Sequence, residues 1–135
     1  MAELRLEIVT PEKRILDAEV DTVTVPTATG EVGVLANHAP LISALKPGVL
    51  AYTAKGATGK LAITGGFVEV SNDKVSVLTD TAETAAEIDI AAARAEKDAA
   101  EKALTAAATA SVEETESIRT LLDAANARLA LAAGR

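Results

Sequence analysis

The chain has 135 residues, no cysteine, and a formal charge of −7 from 13 basic and 20 acidic residues. That length buries a single core or a small domain with an appendage. The missing cysteines exclude disulfides, thiolate metal sites and a Cys nucleophile, and the acidity disfavours a phosphate-backbone partner such as nucleic acid. The hydrophobic fraction is 49%, yet only one Phe, one Tyr and no Trp contribute, so the core is expected to be aliphatic.

The N-terminal stretch Met1-Ala2-Glu3-Leu4-Arg5 lacks the basic flank and apolar centre of a signal peptide. No apolar run approaches the ~20 residues that span a bilayer, so direct membrane insertion is not expected. Strand-like alternation begins at once. Leu4, Leu6 and Ile8 alternate with Glu3, Arg5 and Glu7, which predicts one buried and one wet face. The pattern returns at Val23 and Val25, Leu61 and Ile63, Val68 and Val70, and Val75 and Val77. Turn signals separate the runs: Thr29-Gly30, Pro47-Gly48, Lys55-Gly56, Gly65-Gly66 and Ser71-Asn72-Asp73. Short strands at this spacing predict an antiparallel β-sandwich or flattened barrel.

All four Pro and seven of the eight Gly lie before Asp80; the stretch from Thr81 to Ala133 has neither and is rich in Ala. The fold class is therefore α+β, with a sandwich over 1–83 and a two-helix antiparallel hairpin over 84–135. The first helix is predicted from Asp89 to Leu104, with Asp89 as its cap and Thr84/Glu87 as a rival start of capping-box form. Its apolar stripe reads Ile88, Ala92, Ala95, Ala99 and Ala103. The second begins at Ser111, where Ser111 and Glu114 have capping-box spacing; its stripe is Ile118, Leu122, Ala125 and Leu129, and Gly134 ends it.

Chemistry is scarce. His38 is the single histidine, with no nucleophile elbow beside it; it either makes a functional contact or holds its turn by bonding the backbone. One His and no Cys leave only scattered carboxylates for a metal. Gly30-Glu31-Val32-Gly33 carries an acid at its centre and leads into a strand, which points to a hairpin rather than a phosphate cradle. Glu113, Glu114 and Glu116 suit a helix N-terminus. Arg94, Asp98 and Lys102 read as a solvated helix face. The lack of Trp argues against a sugar-stacking platform. No catalytic residue, cofactor or metal is expected.

The loop sequence is more specific. Pro26-x-x-x-Gly30-Glu31-Val32-Gly33-Val34-Leu35-x-Asn37-His38-Ala39-Pro40-Leu41-Ile42-Ser43-x-Leu45-Lys46-Pro47-Gly48 resembles the signature of the ATP synthase epsilon family. Ile8-Val9-Thr10-Pro11-Glu12, Gly65-Gly66-Phe67-Val68-Glu69-Val70, Val75-Ser76-Val77-Leu78-Thr79-Asp80-Thr81-Ala82 and Ile88-Asp89 resemble further family segments in order. The resemblance implies a non-catalytic central-stalk part of a proton-translocating rotary machine. It implies a gamma subunit held at Thr10, Pro40, Leu41 and Ser43, and the polar loops of a c-ring met by Glu31, Asn37 and His38. It also implies a peripheral place on the cytoplasmic face of the bacterial plasma membrane.

In many family members the hairpin extends and blocks ATP hydrolysis by reaching the catalytic alpha and beta subunits, and some bind ATP through I-D-x-x-R-A. The alternative implied function is thus an inhibitory or nucleotide-sensing regulator. Here Asp89, at the hairpin start, is present, but position 92 is Ala and Arg94-Ala95 comes two residues late, about 200° around a helix. From Ser111 onward Arg119, Arg128 and Arg135 stand against Glu113, Glu114, Glu116 and Asp123, three basic against four acidic, a net of −1. ATP binding and an electrostatic latch onto catalytic subunits are not expected.

Overall fold

Aliphatic side chains at every second position draw the first part of the chain around a closed interior. The computed structural model describes residues 4–134. Glu3, with which the expected alternation opens, and Arg135, counted in the terminal charge, lie outside the described residues. The strands are β1 (Leu4–Val9), β2 (Arg14–Val20), β3 (Thr22–Thr27), β4 (Gly30–Leu35), β5 (Leu41–Leu45), β6 (Gly48–Ala54), β7 (Ala57–Ile63), β8 (Gly66–Ser71), β9 (Lys74–Leu78) and β10 (Ala82–Glu83). They form one sheet in the order β10-β7-β6-β3-β5-β8-β9-β1-β2, with β4 on the other side of β3. β2 comes back toward β6, so the sheet is a nearly closed, flattened barrel, and the helices that follow it complete the α+β class.

The ladders are antiparallel except between β1 and β9, which run parallel. Hairpin turns impose antiparallel pairing on sequence neighbours. β1 and β9 are joined through the whole sheet instead, and no local turn signal reveals their direction. Each expected turn signal falls between two strands; hairpin turns form at Thr29-Gly30, Lys55-Gly56 and Asn72-Asp73, while Pro47-Gly48 is a bend and Gly65-Gly66 an open connection between strands that do not pair. Lys55-Gly56 and Asn72-Asp73 are pairs with positive φ (52° and 81°, 51° and 60°), the conformation that matches the twist of two-residue hairpins.

The core is aliphatic. Leu6, Ile8, Val23, Val25, Leu50, Val68, Val75 and Val77 have no accessible surface. Each such side chain contributes about 1.5–3 kcal/mol relative to exposure. On β7 the expected inward pair Leu61 and Ile63 is buried, and so is Ala62 between them. The reason is the helical part: Ala62 lies beneath it, with Ile88, Leu131 and Ala132.

A 3₁₀ turn (Ala85–Glu87) leads from the sheet to α1 (Ile90–Ala106) and α2 (Val112–Ala133). Both candidate starts are real. Thr84 and Glu87 form a capping box on the 3₁₀ turn, while Asp89 Oδ1 accepts the Ala92 N–H at 3.0 Å and starts α1. At α2, Ser111 Oγ accepts the Glu114 N–H at 3.2 Å, but Glu114 does not return the bond, so only half of that box forms.

α1 and α2 pack as a hairpin, and α2 rests on β6 and β7. The α2 stripe is as read: Ala125 is buried and Ile118, Leu122 and Leu129 are half-buried. The α1 stripe is not. Ala93 and Ala100 are buried, whereas Ala95, Ala99 and Ala103 are exposed. Ile88 is buried and Ala92 half-buried, but beyond the first turn the covered side runs through Ala93, Ala100 and the half-buried Leu104, because alanines alone do not mark a direction. Arg94, Asp98 and Lys102 are exposed, in keeping with a solvated face.

Gly66 stands at the start of β8 with φ +110°, and a Cβ there would overlap the Leu78 carbonyl on β9. Gly33 on β4 has open space instead. Gly66→Ala is expected to lower the unfolding free energy by at least ~2 kcal/mol, and Gly33→Ala to change it by less than ~0.5 kcal/mol, in denaturant titrations.

The Glu87 carboxylate accepts the Thr84 N–H and O–H, both at 2.9 Å, and these bonds hold its pKa below the usual carboxylate value. Asp17 is likewise lowered by its hydrogen bond from Arg5 Nε at 2.8 Å. A carboxylate with a depressed folded pKa contributes stability that is present above its unfolded pKa and lost as pH falls through the folded one. Thermal stability should therefore fall below about pH 4, and less steeply in an Asp17→Asn, Glu87→Gln variant.

Candidate docking surface

The alternation that buries Val68, Val70, Val75 and Val77 turns the residues between them outward, and on this sheet some of those are apolar. Registers place Ala44, Phe67, Leu78 and Val9 in one row across β5, β8, β9 and β1. The adjacent row is Ile42, Glu69, Ser76 and Glu7. Phe67 is 58% exposed, Leu78 55% and Ile42 72%. At the far end of the same face the residues are charged: Glu7 pairs with Arg14 at 3.1 Å and Lys74 at 3.5 Å, and Arg5 with Asp17 at 2.8 Å. One face thus has an apolar end and a salt-bridged end.

Shallow hollows border the apolar end. One is lined by Val9, Thr10, Pro11, Phe67, Leu78 and Asp80. The other is lined by Pro40, Leu41, Ile42, Glu69 and Ser71. Thr10, Pro40 and Leu41 therefore stand around a common apolar surface. Thr10 is held in its turn by donating from Oγ1 to the Lys13 carbonyl at 3.2 Å. Ser43 occupies an inward register position opposite Val68, and its Oγ donates to the Ala44 carbonyl at 3.2 Å.

Ile42, Phe67 and Leu78 were not among the nominated residues. Their signal was an apolar residue in the polar phase of an alternating strand, visible in Phe67-Val68-Glu69-Val70 and Val75-Ser76-Val77-Leu78.

Glu31, Asn37 and His38 are not gathered in one place. Glu31 sits exposed near the β3–β4 turn, opposite Pro26, beside a hollow shared with Lys46, Pro47 and Asn126. Asn37 and His38 follow the other end of β4, some 15–20 Å away along the strand. Asn37 takes φ +67° and donates its N–H to Asp73 Oδ1 at 2.6 Å. His38 Nδ1 lies 2.7 Å from the Ala39 carbonyl, so the ring does brace its turn.

Asp89 is committed to the α1 cap, Ala92 is half-buried in the first turn, and Arg94 is exposed. A hollow of about 600 Å³ lies between β6–β7 and the end of α2, lined by Val49, Thr58, Lys60 and Leu131 among others, without a nucleophile–base pair. Among the described residues no group of His, Cys, Asp or Glu has metal-holding geometry.

A family model, "ATP synthase, Delta/Epsilon chain, beta-sandwich domain", matches residues 3–85. The "ATP synthase epsilon chain" of Desulfitobacterium hafniense (strain Y51) is 49% identical over 100 residues, covering 74% of this chain and 76% of that one. Its counterpart in Nitratidesulfovibrio vulgaris (strain DP4) is 52% identical over 101 residues, covering 75% of each. A chain in the cryo-EM structure of the Euglena gracilis mitochondrial ATP synthase (OSCP/F1/c-ring) superposes with TM-score 0.81 at 25% identity, covering 100% of this chain and 83% of that one. A chain of the Tetrahymena thermophila central stalk/c-ring structure shares the fold, with TM-score 0.54 at 20% identity over 69% and 71% of the two chains. With the sandwich matched throughout and half of the aligned residues identical, the chain belongs to the epsilon family of ATP synthase subunits.

Proposed function

We propose that the chain works as a non-catalytic rotor part, gripping the gamma subunit with the apolar end of the sheet and resting on the polar loops of the c-ring. As an epsilon-family chain it is a central-stalk subunit of a proton-translocating ATP synthase. The observation that carries the docking assignment is the outward row of Ala44, Phe67 and Leu78, all exposed, with the half-buried Val9 at its end and the exposed Ile42 beside it. Soluble monomers rarely leave such a contiguous patch uncovered. A stable contact needs about 1,000 Å² or more of buried surface, and a four-strand face bordered by Thr10, Pro40 and Leu41 offers a platform for one; Ser43, assigned to gamma with them, stands at an inward register position and does not share this face.

Glu31, Asn37 and His38 are assigned to the c-ring, which at the two ends of β4 would be met along an extended edge rather than at a point. Residues 1–83 form the docking domain and residues 84–135 the hairpin domain. The chain is peripheral to the membrane, on the cytoplasmic face in a bacterium; none of its described helices is long and apolar enough to cross one. No step of catalysis and no nucleotide cofactor is assigned to it, because Asp89 serves as a helix cap and position 92 is Ala.

Torque transmission asks for a stiff body with two adhesive faces, and an aliphatic closed sheet meets that need without reactive groups. The hairpin stays folded in this reading and inhibits hydrolysis weakly. Contacts of the helices with the alpha and beta subunits belong to the alternative, regulatory reading.

Phe67→Glu is expected to weaken binding of the purified full chain to gamma at least ~10-fold, a charge buried at the centre of the contact, while leaving the melting temperature nearly unchanged. Retention of full affinity would remove this face from the interface. Truncation after Glu83, tested in a reconstituted enzyme, should change the ATPase rate by less than about twofold, well under 1 kcal/mol of barrier. A rise of several-fold would establish the regulatory reading instead.

A further inference from the structure

Arg128 entered the sequence reading only as a unit of charge, but the fold gives it an unusual place. It lies on α2 with its side chain 15% exposed. Its Nη1 donates to Glu96 Oε2 on α1 at 2.9 Å. Its Nε stands 2.9 Å from Glu83 Oε1 on β10, off the N–H axis, an ion pair rather than a hydrogen bond. One guanidinium thus joins the edge of the sheet, the first helix and the second. Among the described residues no other ion pair ties the helices to the sheet.

The apolar contact beside it is a second, smaller cluster: Ala62, Ile88, Leu131 and Ala132 form its buried centre, with Val49, Ala85 and Ile90 packed half-buried against it. β10 is itself only two residues long, paired to β7 at Ala82–Ile63 and Glu83–Ala62. The charge cluster that spans this contact adds to it: Arg128 is 15% exposed, against 29% for Glu83 and 57% for Glu96, so removing both carboxylates leaves the least exposed charge of the three unmatched. The planar fork of arginine can face two carboxylates on different elements, which a lysine ammonium does not reproduce with the same geometry.

We infer that Glu83, Arg128 and Glu96 form an internal latch that holds the helical hairpin on the sheet, with Arg128 as its positioning residue, and that losing it frees the hairpin while the sandwich stays folded. The inference concerns the chain by itself and stands whether or not gamma and the c-ring are its partners.

Hydrogen exchange of the full chain, read amide by amide, tests it. In Arg128→Ala, the α2 amides from Ala127 to Ala133 should exchange at least ~10-fold faster, with β1, β8 and β9 amides unchanged within about twofold. Glu83→Gln with Glu96→Gln should give the same pattern, and it serves as the independent arm should Arg128→Ala not fold. Arg128→Lys should restore less than full protection. A smaller rise in α2, full protection in Arg128→Lys, or an equal loss of protection in the sandwich would overturn the latch.

Discussion

Leu6, Ile8, Val23, Val25, Val68, Val75 and Val77 meet inside a sheet that almost closes on itself, and every other feature of the molecule is placed by that convergence. Because a strand presents its side chains with period two, fixing the inward set also fixes the outward set. A slip of one residue would exchange them. The exposed apolar row and the salt-bridged end of the same face are therefore consequences of how the interior is filled. With no Trp and one Phe, the interior relies on branched aliphatic side chains, which pack densely on a pleated surface and leave few rotamers to lose.

The outer face shows how one sheet serves two demands. Toward β2 it carries Arg5, Glu7, Arg14, Asp17 and Lys74 in alternating charge, which keeps that end hydrated and unattractive to other apolar surfaces. Toward β5 it carries Ile42, Phe67 and Leu78, and hydration there is unfavourable. A rotor part needs this asymmetry, since a sheet apolar all round would self-associate and one charged all round would grip little. The exposed Phe is the single phenylalanine in the chain, spent outside the core.

The helices add a second, weaker layer. They pack against each other as a hairpin, and α2 and the 3₁₀ turn reach the sheet, over a cluster centred on Ala62, Ile88, Leu131 and Ala132. An arginine bridging two carboxylates adds direction to that apolar contact. The expected absence of an electrostatic latch concerned the charge offered to a partner subunit; the charge arrangement within the chain is a separate matter and is organised around Arg128.

Local pattern was enough for much of this protein. Alternation located the strands around Leu4, Val23, Val68 and Val75; Gly and Asn-Asp pairs located the turns; Asp89 and Ser111 started their helices where a side-chain acceptor meets free N–H groups. Five ordered motifs were enough for the family. Long-range pairing was not legible, since the parallel β1–β9 ladder joins segments that no turn connects. The alanines of α1 do not by themselves mark its buried side, which runs through Ala93, Ala100 and Leu104, away from the charged Arg94, Asp98 and Lys102. The meeting of Glu83, Glu96 and Arg128 belongs wholly to the tertiary structure: charges far apart in sequence are interchangeable on paper, and only the packing of sheet edge against helices decides which of them face one another.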